Sequence, residues 1–392
     1  MKLLRVIPEN MLRGKKVFVR VDFNVPIENG KVKDDTRIRK AMETIKYLVS
    51  KRAKISLASH LGRPKGERKP ELSLKPVADR LSEIIGKKVE FVDDCVGDVV
   101  RGKVESLKDG DILLLENLRF HKGEEKNDEE FAKLLAEPFE VYVNDAFGTA
   151  HRAHASTYGM VKYFNVKGAG FLMEREVRVL SEILENPKKP FVVILGGAKV
   201  KDKIGIIANL MNKADAFVVG GGMAYTFLKA GGKEIGKSLF DEKHFGKVKE
   251  FLKNNGEKFV LPRDHVVVSD FETLSDLKEV DDIPEGFIGV DIGRKTIEIF
   301  AERIIKAKTI FWNGPMGVFE KKELSRGTVE VARVVKEATE KGAKSVIGGG
   351  DTVSAIHVAG FKDQDFSHVS TGGGATLEFL AGIPVPGIEA LR

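Results

Sequence analysis

The chain has 392 residues, 42% of them hydrophobic and 31% charged, the composition of a globular protein with two or three domains and a large core. A net charge of +7 favours anionic partners, yet no aromatic-interleaved basic run points to nucleic acid. A single cysteine, Cys95, excludes an internal disulfide and suits a reducing cytoplasm, and no signal peptide or apolar run of about eighteen residues is present.

In chain order, 17–25 reads as a largely buried strand. Its polar insertions Arg20, Asp22 and Asn24 fall on alternate positions, hence on one face, and suggest a ligand edge. A helix is predicted from Asp34 through Leu48, with Arg37 in its first turn, where a cation opposes the helix dipole unless an anion lies nearby. A second strand, 55–59, ends in His60-Leu61-Gly62-Arg63-Pro64. A polar surface loop, 67–75, follows. Cys95 reads as a buried, inert thiol. Strands are expected at 89–92, 112–116 and 141–143. The last two lead into Asn117-Leu118-Arg119-Phe120-His121 and Asn144-Asp145-Ala146-Phe147, then His151-Arg152-Ala153-His154. His151 and His154 have metal-ligand spacing, but no cysteine or further histidine completes a set. Arg37, Arg63, Arg119 and Arg152 each stand at a strand's end or a helix start. In a parallel sheet they converge, and the guanidinium fork suits carboxylate or phosphate.

A helix over 174–185 closes the first half, and the domain boundary is placed at 174–190. Strands are then expected at 191–195, 216–219, 259–261, 309–312, 344–347 and 367–370. The first runs into Gly196-Gly197-Ala198-Lys199-Val200-Lys201-Asp202-Lys203, where Lys199 and Lys203 are spaced to share a helix face and call for an anion between them. Gly220-Gly221-Gly222 follows the next strand. Gly231 to Ser238 satisfies the Walker A spacing, but an amphipathic helix, not a strand, precedes it. Near the C-terminus two strands end in glycines and open into helices, at Gly348-Gly349-Gly350-Asp351-Thr352 and at Gly372-Gly373-Gly374. Each could be an ordinary capped turn. As a pair on one sheet edge they read as a phosphate site, with Asp351 toward a hard cation and the Thr352 hydroxyl toward a phosphate oxygen. Gln364 is the only glutamine among many Lys and Glu, a thermophile-like bias.

These motifs, with Asn313-Gly314-Pro315-Met316-Gly317, resemble the phosphoglycerate kinase family over nearly the whole chain and in the family's order. Lys201 departs from the family's small hydroxyl residue. The resemblance implies two Rossmann-like, doubly wound parallel-sheet α/β domains joined by a helix and facing across a hinge cleft. It implies a triose domain at 1–173 to which 381–392 returns, a connecting helix and hinge at 174–190, and a nucleotide domain at 191–380. Asp22, Phe23, Asn24, Arg37, His60, Leu61, Gly62, Arg63, Arg119 and Arg152 match triose positions. Lys199, Lys203, Gly220, Gly221, Asn313, Glu320, Gly349, Gly350, Asp351 and Thr352 match nucleotide positions, with Asp351 toward Mg2+. Arg37, Lys199 and the N–H groups of Gly372 and Gly373 are expected to stabilise the transferring phosphoryl. The implied enzyme is a cytoplasmic, glycolytic monomer. It passes a phosphoryl group between 1,3-bisphosphoglycerate and Mg-ADP, giving 3-phosphoglycerate and Mg-ATP, and has neither nucleic-acid nor membrane partners. On residues alone, a dinucleotide-dependent oxidoreductase is the alternative, although no convincing G-x-G-x-x-G turn supports it. A non-catalytic basic binding module is a third reading.

Overall fold

A computed structural model describes residues 1–392. The chain divides into two compact units, Met1–Arg178 with Pro384–Arg392, and Val179–Ile383.

In the first unit, six strands form one parallel sheet in the spatial order Val89–Val92, Ile112–Leu115, Lys54–Ala58, Lys16–Arg20, Val141–Asn144, Val166–Ala169. The inner strands are almost wholly buried, as helices on both faces require, so they read as continuous apolar runs. The helix Lys75–Ile85 shows how the layers join. Val77, Ala78 and Leu81 make its buried stripe, and Gly86, in the left-handed region at φ 69°, ends it. The last residues belong to this unit: Lys2 N–H donates to Leu391 C=O (2.9 Å) and Gly387 N–H to Ala150 C=O (2.8 Å).

In the second unit a parallel sheet runs Phe259–Val260, Ala216–Val219, Phe191–Leu195, Thr309–Asn313, Lys344–Gly348, His368–Val369. In chain order this is 3-2-1-4-5-6, the doubly wound arrangement whose ligand crevice opens between strands one and four. Trp312 is fully buried in the core beneath that point, and its indole N–H donates to Gly314 C=O at 2.8 Å.

Several local expectations differ from the structure. The first strand stops at Arg20, so Asp22 and Asn24 lie beyond the pleat and do not share its alternation. The helix predicted over 34–48 is two helices, Thr36–Lys40 and Met42–Ser50, broken at Ala41. The polar 67–75 segment contains a turn of 3-10 helix at Pro70–Leu72. The strand Val166–Ala169 was not anticipated, nor was a three-stranded antiparallel sheet of His265–Val268, Lys278–Val280 and Ile288–Ile292. All are short, and Val166–Ala169 and Lys278–Val280 are partly exposed and carry no apolar run; His265–Val268 does contain the run Val266-Val267-Val268, and there the sequence signal was missed.

Candidate functional sites

Each unit carries its own candidate site. In the first, the strand Lys16–Arg20 ends in an arginine that is fully buried. Arg20 donates through Nε to Ser156 Oγ (2.7 Å), through Nη1 to Val21 C=O, and through Nη2 to His60 Nδ1 (3.3 Å). Guanidinium only donates, so Nδ1 of His60 accepts and its proton sits on Nε2. Ser156 in turn donates to buried Glu124, from Oγ (2.5 Å) and from its backbone N–H (2.9 Å). Burial pushes the Glu124 carboxyl up, and Arg20 pulls it back.

Cationic side chains gather around this network. Burial holds His60 well below its ordinary value, and Arg20, Arg119 and Arg37 add to that. Burial, with Arg119, Arg20 and Arg152, brings His154 down to about 3. Arg119 is buried, donates from Nη1 to Gly62 C=O (2.8 Å), and has Nε 3.3 Å from Glu125 without hydrogen-bond alignment. Arg37 ion-pairs with Asp22. The anion that offsets its place in the first helical turn is therefore supplied by the chain itself. Asn24 Oδ1 accepts from Gly62 N–H at 2.9 Å. Arg37 and Arg119 thus act on His60, and Arg152 acts on the neighbouring His154 and Arg119. Arg63 is exposed and makes no hydrogen bond or ion pair, and nothing joins it to the others. Phe23 and Leu61 are buried, and their backbone N–H groups bond Ser59 Oγ and Asn117 Oδ1. The expectation that Arg20 stands on a ligand edge is corrected, since it is buried in an internal network, and its partners Ser156 and Glu124 were not among the candidates. The signal was there, since an arginine closing a run of buried residues needs partners.

In the second unit, the glycine corners meet at the switch point of the sheet. A cavity of about 310 Å³ is lined by Gly197, Ala198, Lys199, Lys203, Asn313, Gly314, residues 349–352, Gly373 and Gly374. At two of its glycines the walls approach so closely that a side chain is excluded. A Cβ on Gly349 (φ 90°) would stand 2.3 Å from Asn313 Nδ2, and one on Gly314 (φ 98°) 2.2 Å from Gly196 O. Asn313 donates to Gly348 C=O (2.7 Å), while its own carbonyl oxygen is buried without a partner. The helix Gly350–Val358 opens on the cavity, and its leading N–H groups have no partner within the helix.

Lys203 lies in the first turn of the helix Lys201–Leu210. It is 7% exposed, and its ammonium makes no hydrogen bond or ion pair. Burial lowers its pKa, Asp202 and Asp351 oppose that, and Lys199 adds to it. Lys199 precedes the helix, so the two lysines are not helical i,i+4 partners; they meet across the cavity wall instead.

Other expected residues sit differently. Thr352 is buried, its hydroxyl donates to Gly348 C=O (2.8 Å), and it accepts from Gly314 N–H (2.6 Å), so only its backbone is free for a phosphate. The Gly372 N–H is committed to Ser370 Oγ (3.1 Å), whereas Gly373 lines the cavity. Gly220 and Gly221 are buried against Met316 and Gly197 and do not line it. Glu320 is exposed and outside it. Asp351 is exposed and lines it. The Walker-like 231–238 segment follows the helix Ala224–Ala230, and its Ser238 hydroxyl accepts from Gly289 N–H (2.8 Å), as a structural turn does. No helix is long and apolar enough to cross a membrane.

Residues 7–383 match the family model described as "Phosphoglycerate kinase". The phosphoglycerate kinase of Dictyoglomus turgidum is 53% identical over 387 residues, covering 97% of this chain and 96% of that protein. That of Thermosipho africanus is 54% identical over 386 residues, with the same coverage. Among solved structures, phosphoglycerate kinase from Coxiella burnetii matches with TM-score 0.88 and 40% identity, over 100% of this chain and 99% of that one. The enzyme from Pyrococcus horikoshii OT3 matches with TM-score 0.85 and 33% identity, over 100% and 98%.

Proposed function

Because the chain belongs to the phosphoglycerate kinase family, and is thereby a glycolytic phosphotransferase acting on phosphoglycerate and adenine nucleotide, we propose how its two sites divide that reaction. The oxidoreductase alternative finds no support among the relatives. The first unit takes 3-phosphoglycerate or its acyl phosphate on Arg37, Arg119 and Arg152, with His60 offering a neutral N–H and the exposed Arg63 joining them. The second takes ATP or ADP at the 310 Å³ cavity. The observation that carries this reading is Lys203. A largely buried lysine with no ion-pair partner, its charge only partly offset by Asp202 and Asp351, is costly, and a phosphate against glycine N–H groups would relieve that cost.

Asp351 suits Mg2+. It is a single exposed carboxylate at the cavity wall, and Mg2+ commonly takes one or two protein carboxylates and completes its shell with phosphates and water. Bound there, the ion would neutralise phosphate charge. The attacking oxygen is already anionic, so the chain need not supply a general base. Lys199, Arg37 and the Gly373 N–H stabilise charge on the transferring group. Reacting atoms must come within about 3–3.5 Å, so transfer requires the two units to approach each other, with bending at 174–190 and at the C-terminal crossing. We assign the enzyme to the cytoplasm as a monomer.

A coupled assay with 3-phosphoglycerate and Mg-ATP tests the reading. Turnover that disappears without either substrate is expected, and none at all would overturn it. Small-angle scattering with both ligands bound should show compaction relative to the free protein; an unchanged radius of gyration would argue against closure.

A further inference from the structure

On the first unit's sheet, two neighbouring strands end beside each other: Val89–Val92 runs into Asp93-Asp94-Cys95, and Ile112–Leu115 leads on to the segment carrying His121. One oxygen of Asp94, the sulfur of Cys95 and one ring nitrogen of His121 all lie within 4.8 Å of one another. Cys95 is 1% exposed and its sulfur has no hydrogen-bond partner, so a buried polar atom faces the other two without one. His121 Nε2 stands 2.7 Å from Asp94 Oδ1, and its ring stacks on Phe131 at 5.0 Å, which fixes the imidazole plane. The Asp94 and His121 side chains are 41% and 32% exposed, leaving a way in from solvent.

We propose that Asp94, Cys95 and His121 form a site for a thiophilic divalent cation of the Zn2+ class. Thiolate, imidazole and carboxylate are the ligand types this ion takes, and a water can fill the fourth tetrahedral position. Binding releases the thiol proton to solvent and moves the imidazole proton from Nε2 to Nδ1, which no group of the chain engages. The short Asp94–His121 contact opens to admit the ion. The site lies outside the phosphate and arginine groups described above, so it stands or falls independently of the phosphotransferase reading.

Cobalt(II) is a direct probe because Cys95 is the only cysteine. Added to the purified full-length protein, it should give thiolate-to-cobalt charge-transfer absorption, saturating at one ion per chain, and Zn2+ should bleach it. Cys95→Ser should abolish the band. His121→Gln, which can keep the hydrogen bond to Asp94, should weaken cobalt binding at least about tenfold. Zn2+ should raise the melting temperature of the parent and not of Cys95→Ser. Absence of the charge-transfer band at saturating cobalt, cobalt uptake without thiolate absorption, or equal affinity in His121→Gln would overturn the proposal.

Discussion

Lys203 shows how one residue can oppose stability and serve binding. Lys203 is largely buried without an ion-pair partner, so the folded protein carries a desolvation cost that Asp202 and Asp351 offset only in part and a bound anion would relieve. Lys203→Met is therefore expected to leave the melting temperature unchanged or higher while lowering kcat/KM on the order of 10²–10³-fold. A variant with near-parental kcat/KM would remove Lys203 from the nucleotide site. Arg20 is the opposite case, because its charge is matched. Arg20→Met strands Glu124 in the interior with only Ser156 to hold it, and should cost roughly 3–5 kcal/mol in chemical unfolding followed by circular dichroism. Arg20→Met combined with Glu124→Gln should recover part of that loss. No recovery would mean the two charges are not coupled through Ser156.

The strand–turn–helix corner is the element that makes the nucleotide cavity, and its two glycines can be separated. Gly349 is held at φ 90° with Asn313 Nδ2 where a Cβ would go. Gly349→Ala should destabilise by about 1–3 kcal/mol from backbone strain, with further loss as the Asn313–Gly348 hydrogen bond shifts. Gly350 opens the helix with nothing of the chain within 4 Å of a Cβ. Gly350→Ala should preserve the melting temperature yet raise KM for ATP, because the methyl would enter ligand space. Equal KM values for parent and Gly350→Ala would show that no ligand approaches this backbone. Both corners were legible from their glycines, since a strand running into three of them allows few other structures. The role of Thr352 was not legible, because the partner that occupies its hydroxyl, Gly314, arrives from a strand 38 residues away.

Across the whole molecule, buried titratable groups set how stability follows pH. His60, His154 and His265 are held below the ordinary 6.5, His154 at about 3 and His265 at about 4, chiefly by burial. The unfolded chain takes up these protons near pH 6.5 and the folded chain does not, so this share of stability is present above 6.5 and is lost on acidification. Asp145 and Asp291 act in the opposite sense. Burial raises them to about 6 and about 7, so the stability they contribute falls as pH rises from about 4 toward 7. His154→Gln should therefore lose less melting temperature between pH 7 and pH 4 than the parent. An equal loss would show that His154 is not held neutral.

The sequence alone determined the alternation of strands and helices, the two parallel sheets and the glycine corners. Each is written in local periodicity and in residues whose backbone freedom is fixed by covalent structure. The arginines were legible as residue types at strand ends, because a parallel sheet sends those ends to one edge. Tertiary structure alone decided which of them meet. It buried Arg20 on Ser156 and Glu124, paired Arg37 with Asp22, left Arg63 unpaired, and enclosed Lys203 without an ion-pair partner. It also set Cys95 beside His121, 26 residues on. Partnership and burial depend on the distance between residues far apart in the chain, and on how much water folding leaves around them, and neither is encoded within any single stretch.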